Sequence, residues 1–168
     1  MPQGVVCYAL ASWNRRDGGA DIMLVSTKGR YALRVMIDLA EHRSDGRTPL
    51  RKIAARQGIS EKYLENILTT LVRHGLLSGL RGKGGGYCLT REPEDFTIGE
   101  VLRLTEGSLC PVACLEHGYD GCDRAGHCRT IRVWRELDSL IENYLNGVTL
   151  ADLVCDESLE EPSGPCIS

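Results

Sequence analysis

Tyr31, Ala32, Val35, Met36, Leu39 and Ala40 recur at the three- and four-residue steps of one helical face, with polar residues mostly between them, so residues 28–42 read as an amphipathic helix. Thr48 and Pro49 then supply an N-cap and a proline at the first helical position, opening a short helix over 50–57 that stops at Gly58. Ser60 caps a third helix, whose Tyr63, Leu64, Ile67, Leu68, Leu71 and Val72 form one apolar stripe and which Gly75 closes. Two helices joined by a short glycine-containing turn make a helix-turn-helix, in which the second helix is the reader.

The helical period is lost after Gly75. Residues 76–80 and 87–90 read as two short strands around the turn Arg81-Gly82-Lys83-Gly84-Gly85-Gly86. A hairpin with a cationic, flexible tip directly behind a reader helix is the wing of a winged helix. The glycine run is not a nucleotide loop, because it lacks the Lys-Ser/Thr ending and does not lead from a strand into a helix. Thr97-Ile98-Gly99-Glu100 reads as a capping box that opens a helix through Val101, Leu102 and Leu104 to Glu106. Over 130–146 a last long helix carries Trp134, Leu137, Ile141 and Tyr144, with Val148 just beyond, in steps of 3, 4, 3 and 4. Val133 and Leu140 widen this heptad seam, which favours pairing with a second copy over docking on the chain's own core alone. Thr149-Leu150-Ala151-Asp152 begins a short terminal helix. The expected fold is mainly α with a small β-hairpin wing: a winged helix-turn-helix over 23–92, then a cysteine-loop and dimerisation region over 93–154. Residues 155–168 read as a disordered acidic tail. Residues 1–22 read as a translated leader upstream of a start at Met23, or as a disordered tail.

Charge sharpens this division. Residues 26–91 hold 13 Lys and Arg against 5 Asp and Glu, whereas residues 92–168 hold 5 against 16. A net −3 chain thus joins a basic half to an acidic one, and only the first suits a polyanion partner. No stretch approaches the roughly 18 consecutive apolar residues of a membrane span. The apolar patch over 5–13 precedes Arg15 and Arg16, the reverse of a secretory signal, so a cytoplasmic protein with reduced thiols is expected.

Four of the chain's eight cysteines, Cys110, Cys114, Cys122 and Cys128, fall within nineteen positions, in a stretch punctuated by Gly and Asp without apolar period. Such a loop can turn several sulfurs toward one centre, to bind zinc, hold an iron–sulfur cluster or oxidise to disulfides. Only Cys110 and Cys114 have the close spacing of a zinc knuckle. The plainer alternative is that several are buried small hydrophobes. Cys88 lies in a wing strand and reads as a packing residue, and Cys7, Cys155 and Cys166 lie in the tails.

Ser26-Thr27-Lys28-Gly29-Arg30-Tyr31-Ala32, Gln57-Gly58-Ile59-Ser60, Tyr63-Leu64-Glu65, Arg81-Gly82 with Gly84-Gly85-Gly86-Tyr87, and Thr149-Leu150-Ala151-Asp152-Leu153 resemble the bacterial IscR/NsrR/CymR regulators of the Rrf2 family. The likeness runs from about Met23 to Val154. It implies a homodimeric winged-helix transcription regulator whose long helices cross between subunits. In cluster-binding members, three cysteines before the long helix hold an iron–sulfur cluster that reports iron supply, oxidants or nitric oxide. Cys114, Cys122 and Cys128 fall at those positions, with a longer first gap. The chain departs from the family at the fourth ligand: Ile131 stands where one branch has His, and Arg30 where another has an acidic residue. Cys110 is the local substitute, with His127 and His117 as weaker ones, and the choice between a 2Fe-2S and a 4Fe-4S cluster stays open.

Within the basic half, Lys28, Arg34, Arg51, Lys52 and Lys83 are candidate phosphate contacts. Lys62, Tyr63, Glu65 and Asn66 occupy the first turns of the reader helix, where Asn can read adenine and Glu can accept from cytosine N4; Glu65 is otherwise a solvated helix residue. Arg81 suits a narrow minor groove, and Gly84 and Gly85 allow close backbone approach to phosphate. Two other readings compete: a cluster-free regulator with a disulfide switch, and an iron–sulfur electron carrier, which leaves the reader helix and basic wing without a role. No nucleophile–base pair stands at a recognisable motif, so catalysis is not expected.

Overall fold

A computed structural model describes residues 25–116, 122 and 124–155, and the two expected tails lie almost wholly outside them. Ser26 begins the first helix by accepting a hydrogen bond from the Gly29 amide, and α1 runs Thr27–Glu41. α2 (Leu50–Gln57) ends at Gly58 in the left-handed conformation, and Ser60 caps α3 (Glu61–Arg73) by accepting from the Tyr63 amide. β1 (Leu77–Leu80) and β2 (Gly86–Leu89) pair antiparallel, with Leu77 opposite Leu89 and Leu80 opposite Gly86. α4 (Ile98–Glu106), α5 (Ile131–Gly147) and α6 (Leu150–Val154) complete the chain. The elements follow the apolar pattern, each boundary within one residue of its expected place.

One core holds the reader module together. The stripes of α1 and α3 meet there, with Val35, Met36, Leu64, Leu68 and Leu71 fully buried, and Ile53 of α2 closes one side. Phe96, the chain's single phenylalanine, is buried beneath the Arg91 guanidinium, which lies 4.2 Å from its ring centroid. Leu150 of α6 returns to this core and is fully buried. Its amide donates to the Phe96 carbonyl at 2.9 Å and the Ile98 amide donates to the Val148 carbonyl at 3.0 Å, so Thr97 and Thr149 form an isolated β-bridge.

Three local expectations are corrected. Thr48 does not cap α2: its amide and carbonyl pair with Tyr87 at 2.9 Å each, extending the wing by a bridge, and Pro49 occupies the N-cap position. A β-branched residue before proline favours extended backbone, which a strand edge uses as well as a cap does. At α4, Thr97 accepts from the Glu100 amide, but the Glu100 carboxylate turns away to Arg91 at 2.6 Å, so only half of a capping box forms. The complete box stands at α6, where Thr149 and Asp152 satisfy one another's backbone amides.

The Thr48–Tyr87 bridge requires Gly86, because a Cβ there would lie 2.5 Å from the Thr48 carbonyl oxygen and 2.9 Å from the Pro49 nitrogen. Both neighbours are backbone and cannot swing aside. Gly86→Ala should therefore lower stability by about 1–3 kcal/mol, read as a fall in the urea midpoint at constant m. An unchanged midpoint would mean that the bridge is not held in solution.

α5 differs from the other long helices. None of its residues is fully buried, and Val133, Leu137, Leu140 and Tyr144 are 53%, 38%, 66% and 71% exposed. Only its last turn and the residue after it reach a core: Leu145 and Val148 pack against Ile98, Leu102 and Leu109. Arg103 of α4 fixes the same end, donating to Glu142 at 2.6 Å and to Asn146 at 2.5 Å. Of the expected seam, Leu137 and Tyr144 are exposed together with the flanking Val133 and Leu140, whereas Trp134 and Ile141 are half-buried and Val148 packs on the chain's own core. No helix among the described residues is long and apolar enough to cross a membrane.

Candidate DNA interface and cysteine loop

The outward face of α3 follows from its inward one. Because Leu64, Ile67, Leu68 and Leu71 are turned into the core, Lys62, Glu65 and Asn66 are exposed, and the same face continues through Thr69 and Arg73. Tyr63 is half-buried instead. Its ring meets Tyr31 of α1 edge-on, with centroids 5.9 Å apart, so it braces the reader helix. Thr69, Arg73, Leu80, Arg81 and Tyr87 line one groove between α3 and the wing. Arg73 was missed from sequence, although the 3- and 4-residue outward steps from Lys62 to Thr69 lead to it. At the wing tip Arg81, Lys83 and Gly84 are exposed and Gly85 is half-exposed.

The remaining cations divide by their partners. Lys52 is exposed and Lys28 half-exposed. Arg51 is exposed with a long 3.6 Å contact to Glu61. Arg34 is committed: its Nε donates to Gln57 Oε1 and its terminal nitrogen to the Gln57 carbonyl, both at 3.0 Å, which satisfies the C-terminal end of α2. One turn along α1, Asp38 is 1% exposed and holds α2 from inside. Arg56 grips its two carboxylate oxygens in parallel at 2.7 Å each, and Gln57 Nε2 adds a bond at 3.1 Å. This contact raises the Arg56 pKa further above its ordinary value. Asp38 therefore fixes the angle at which α2 carries the turn into α3. Sequence reasoning passed over it, although an acid within an apolar helical stripe is the signal of a buried pair.

The four loop cysteines are all free and half-buried, between α4 and α5. Two short 3-10 turns, Ala113–Leu115 and Ala125–His127, give Cys114 and the region before Cys128 local order. Cys110 lies beside Asp138 of α5; burial raises its thiol pKa first, and the carboxylates of Asp138 and Glu116 add to the rise. Cys128 sits at the start of α5, with the Thr130 hydroxyl 3.3 Å from its sulfur. That contact, with the Thr130 and Ile131 amides and Arg124, lowers its pKa and favours thiolate. Thr130 and Asp138 are eight residues apart on the helix, about 12 Å of rise, so Cys110 and Cys128 sit at different heights along it. Among the described residues, no three His, Cys, Asp or Glu side chains are gathered about one metal position. The donor chemistry fits a cluster, since the thiols are unpaired and close in sequence. His117 lies outside the described residues, and His127 is exposed. Cys88 is in β2, its sulfur 3.9 Å from the Ser78 carbonyl, apart from the loop.

A reader helix with an open polar face, a basic wing beside it and a long helix behind define a winged-helix transcription regulator. The model of the Rrf2 family, described as an iron-dependent transcriptional regulator, matches residues 25–156, and the chain belongs to that family. It is 38% identical over 141 residues to the HTH-type transcriptional regulator IscR of Aliivibrio salmonicida, covering 84% of this chain and 83% of that protein. IscR of Yersinia pestis is 39% identical over 139 residues, covering 83% and 84% respectively. Of solved structures, T. potens IscR aligns with a TM-score of 0.65 at 38% identity, over 87% of this chain and 97% of that one. CymR, the global cysteine regulator of B. subtilis, aligns with a TM-score of 0.65 at 34% identity, over 79% and 97%. These relatives are regulators and not enzymes, and this chain is a DNA-binding transcription regulator.

Proposed function

We propose that the protein is a homodimeric regulator that senses iron, oxidant or nitric oxide status through an iron–sulfur cluster held by Cys114, Cys122 and Cys128, with Cys110 as fourth ligand. The observation that carries this reading is the position of the loop. Four free thiols lie in irregular chain between the reader module and α5, and two of them, Cys110 and Cys128, already border α5. A bound cluster would supply one-electron redox chemistry and reactivity toward small oxidants. The chain's own residues do the rest. Inward folding of the loop would carry Cys110 away from Asp138 toward the other thiols, and the region from 93 to 154 would fix the angle between the two reader modules of a dimer. The open face of Val133, Leu137, Leu140 and Tyr144 would pair with the same face of a second copy. Residues 23–92 would bind DNA, through phosphate contacts by Lys28, Arg51, Lys52 and Lys83 and through base-edge contacts by Lys62, Glu65 and Asn66. Arg34 would act on DNA only indirectly, through α2.

A cluster-free thiol switch is the second reading. It is favoured by the Cys128 thiol, which its hydrogen bonds poise toward thiolate. The S. aureus CymR structure described as an oxidized form, 31% identical with a TM-score of 0.61, shows that a protein of this fold can be isolated oxidised. Purification without air separates the two. The cluster reading expects visible absorption and bound iron, both lost in Cys122→Ala and kept in Cys88→Ala. Colourless, iron-free wild-type protein would leave the thiol switch, and equal iron loss in both variants would place the site elsewhere.

A further inference from the structure

The segment Ser26-Thr27-Lys28-Gly29 is packed against the far end of α4, a contact that neither the DNA surface nor the cysteine ligands explain. Glu106, the last residue of α4, accepts from the Ser26 amide at 3.2 Å and from the Ser26 hydroxyl at 2.9 Å, while the same hydroxyl accepts from the Gly29 amide. A residue 80 positions away thus completes the N-cap of α1 with a carboxylate, the charge that a helix N-terminus favours. Gly29 is buried, and a Cβ there would overlap the Glu106 carboxylate itself, so the glycine is what admits it. On its other side Glu106 adjoins Gly107, at φ +84, where the chain leaves α4 for the cysteine loop. Two residues further on, Leu109 is buried against α4, and Cys110 follows beside α5. On α1, Tyr31 lies one turn from Thr27, the residue after Ser26, and carries the edge-on contact to Tyr63 in the first turn of the reader helix.

We propose that Glu106 is the positioning residue through which the state of the cysteine loop reaches the DNA-reading helix. The proposal rests on the loop being the sensor, whether by cluster or by thiols. Movement of the loop turns the chain at Gly107 and withdraws the carboxylate from Ser26. The Ser26 cap of α1 then loses the carboxylate that holds it in place, and the Tyr31–Tyr63 brace loses its footing.

The test compares wild type with Glu106→Ala and Glu106→Gln, each full-length and prepared without air. Glu106→Ala should keep the wild-type iron content and visible spectrum, because no ligand is touched. It should raise amide exchange in residues 28–31 about tenfold or more, the effect of losing a charge-assisted cap. The ratio of DNA affinities between the two loop states, iron-loaded and iron-free or, in an iron-free protein, reduced and oxidised, should fall toward one. Glu106→Gln keeps an acceptor for Ser26 and should restore most of that ratio, whereas a residue that only stabilised the fold would leave the ratio at its wild-type value in both variants. A Glu106→Ala protein with the full wild-type ratio, or with unchanged exchange in the first turn of α1, overturns the coupling while leaving the sensor reading intact. A wild-type protein whose two loop states bind DNA equally overturns both.

Discussion

Arg81→Ala should weaken binding to the protein's operator by about 1–3 kcal/mol, and raising salt from 50 to 200 mM should weaken the wild type by roughly 10³-fold or more. The first effect follows from Arg81 standing exposed at the wing, beside the same groove as Arg73. The second follows from the number of cations that the proposed dimer would present, each displacing counterions from phosphate. The partners seen in the structure make the test sharper. Lys52→Ala and Lys83→Ala should each lower the steepness of the salt dependence by about one, with stability unchanged. Arg34→Ala should leave that slope alone and lower stability instead, because its guanidinium is bound to Gln57. Fluorescence anisotropy across a salt series separates these outcomes. Salt-independent binding by the wild type would contradict the phosphate contacts altogether.

Arg56→Met should destabilise the fold by about 3–5 kcal/mol, more than Asp38→Asn does. The asymmetry comes from burial: Asp38 is 1% exposed whereas the Arg56 side chain retains 29%, so removing the arginine strands the charge that water cannot reach. Gln57 still donates one bond to Asp38, which limits the loss. Asp38→Asn leaves a neutral group facing a cation that solvent already touches. Urea midpoints at constant m would report the order, and a larger loss in Asp38→Asn would mean that the pair is wetter in solution than its packing indicates. Since Asp38 sets the approach of α2 to the reader helix, both substitutions should also weaken DNA binding in the fraction that remains folded.

The helices and hairpin were legible in the sequence because the core is periodic: the stripes of α1 and α3 specify buried faces without reference to anything else. The helix α5 was legible for the same reason, but its exposed face runs through Val133, Leu137, Leu140 and Tyr144 and not along the whole 3- and 4-step seam. Long-range partners were not legible. Nothing local says that Arg56 belongs to Asp38, that Glu100 turns to Arg91, or that Thr48 spends its backbone on Tyr87 instead of capping α2. The outward face of α3 could be derived from the core by elimination, yet Arg34 shows the limit of reading cations from sequence, since its guanidinium is held by Gln57. In the cysteine loop, spacing offers candidate donors, but irregular backbone carries no period from which their mutual placement follows.

The bridge between Thr97 and Thr149 bears on how the chain acquires its shape. It joins positions 52 apart, and closing a loop of that length costs about 3.5 kcal/mol in chain entropy beyond a constant. Two backbone hydrogen bonds and the burial of Leu150 are of the size to offset this, but only against a surface that already exists. α4 is part of that surface, since Val101 is fully buried in the same core as α1 and α3 and Glu106 accepts from Ser26, whereas α5, which has no fully buried residue, docks late in folding and opens first under native conditions. A helix held to the core mainly through its last turn can be lengthened, shortened or rechemised between relatives without disturbing that core, which makes it a part of the chain whose chemistry is free to diverge.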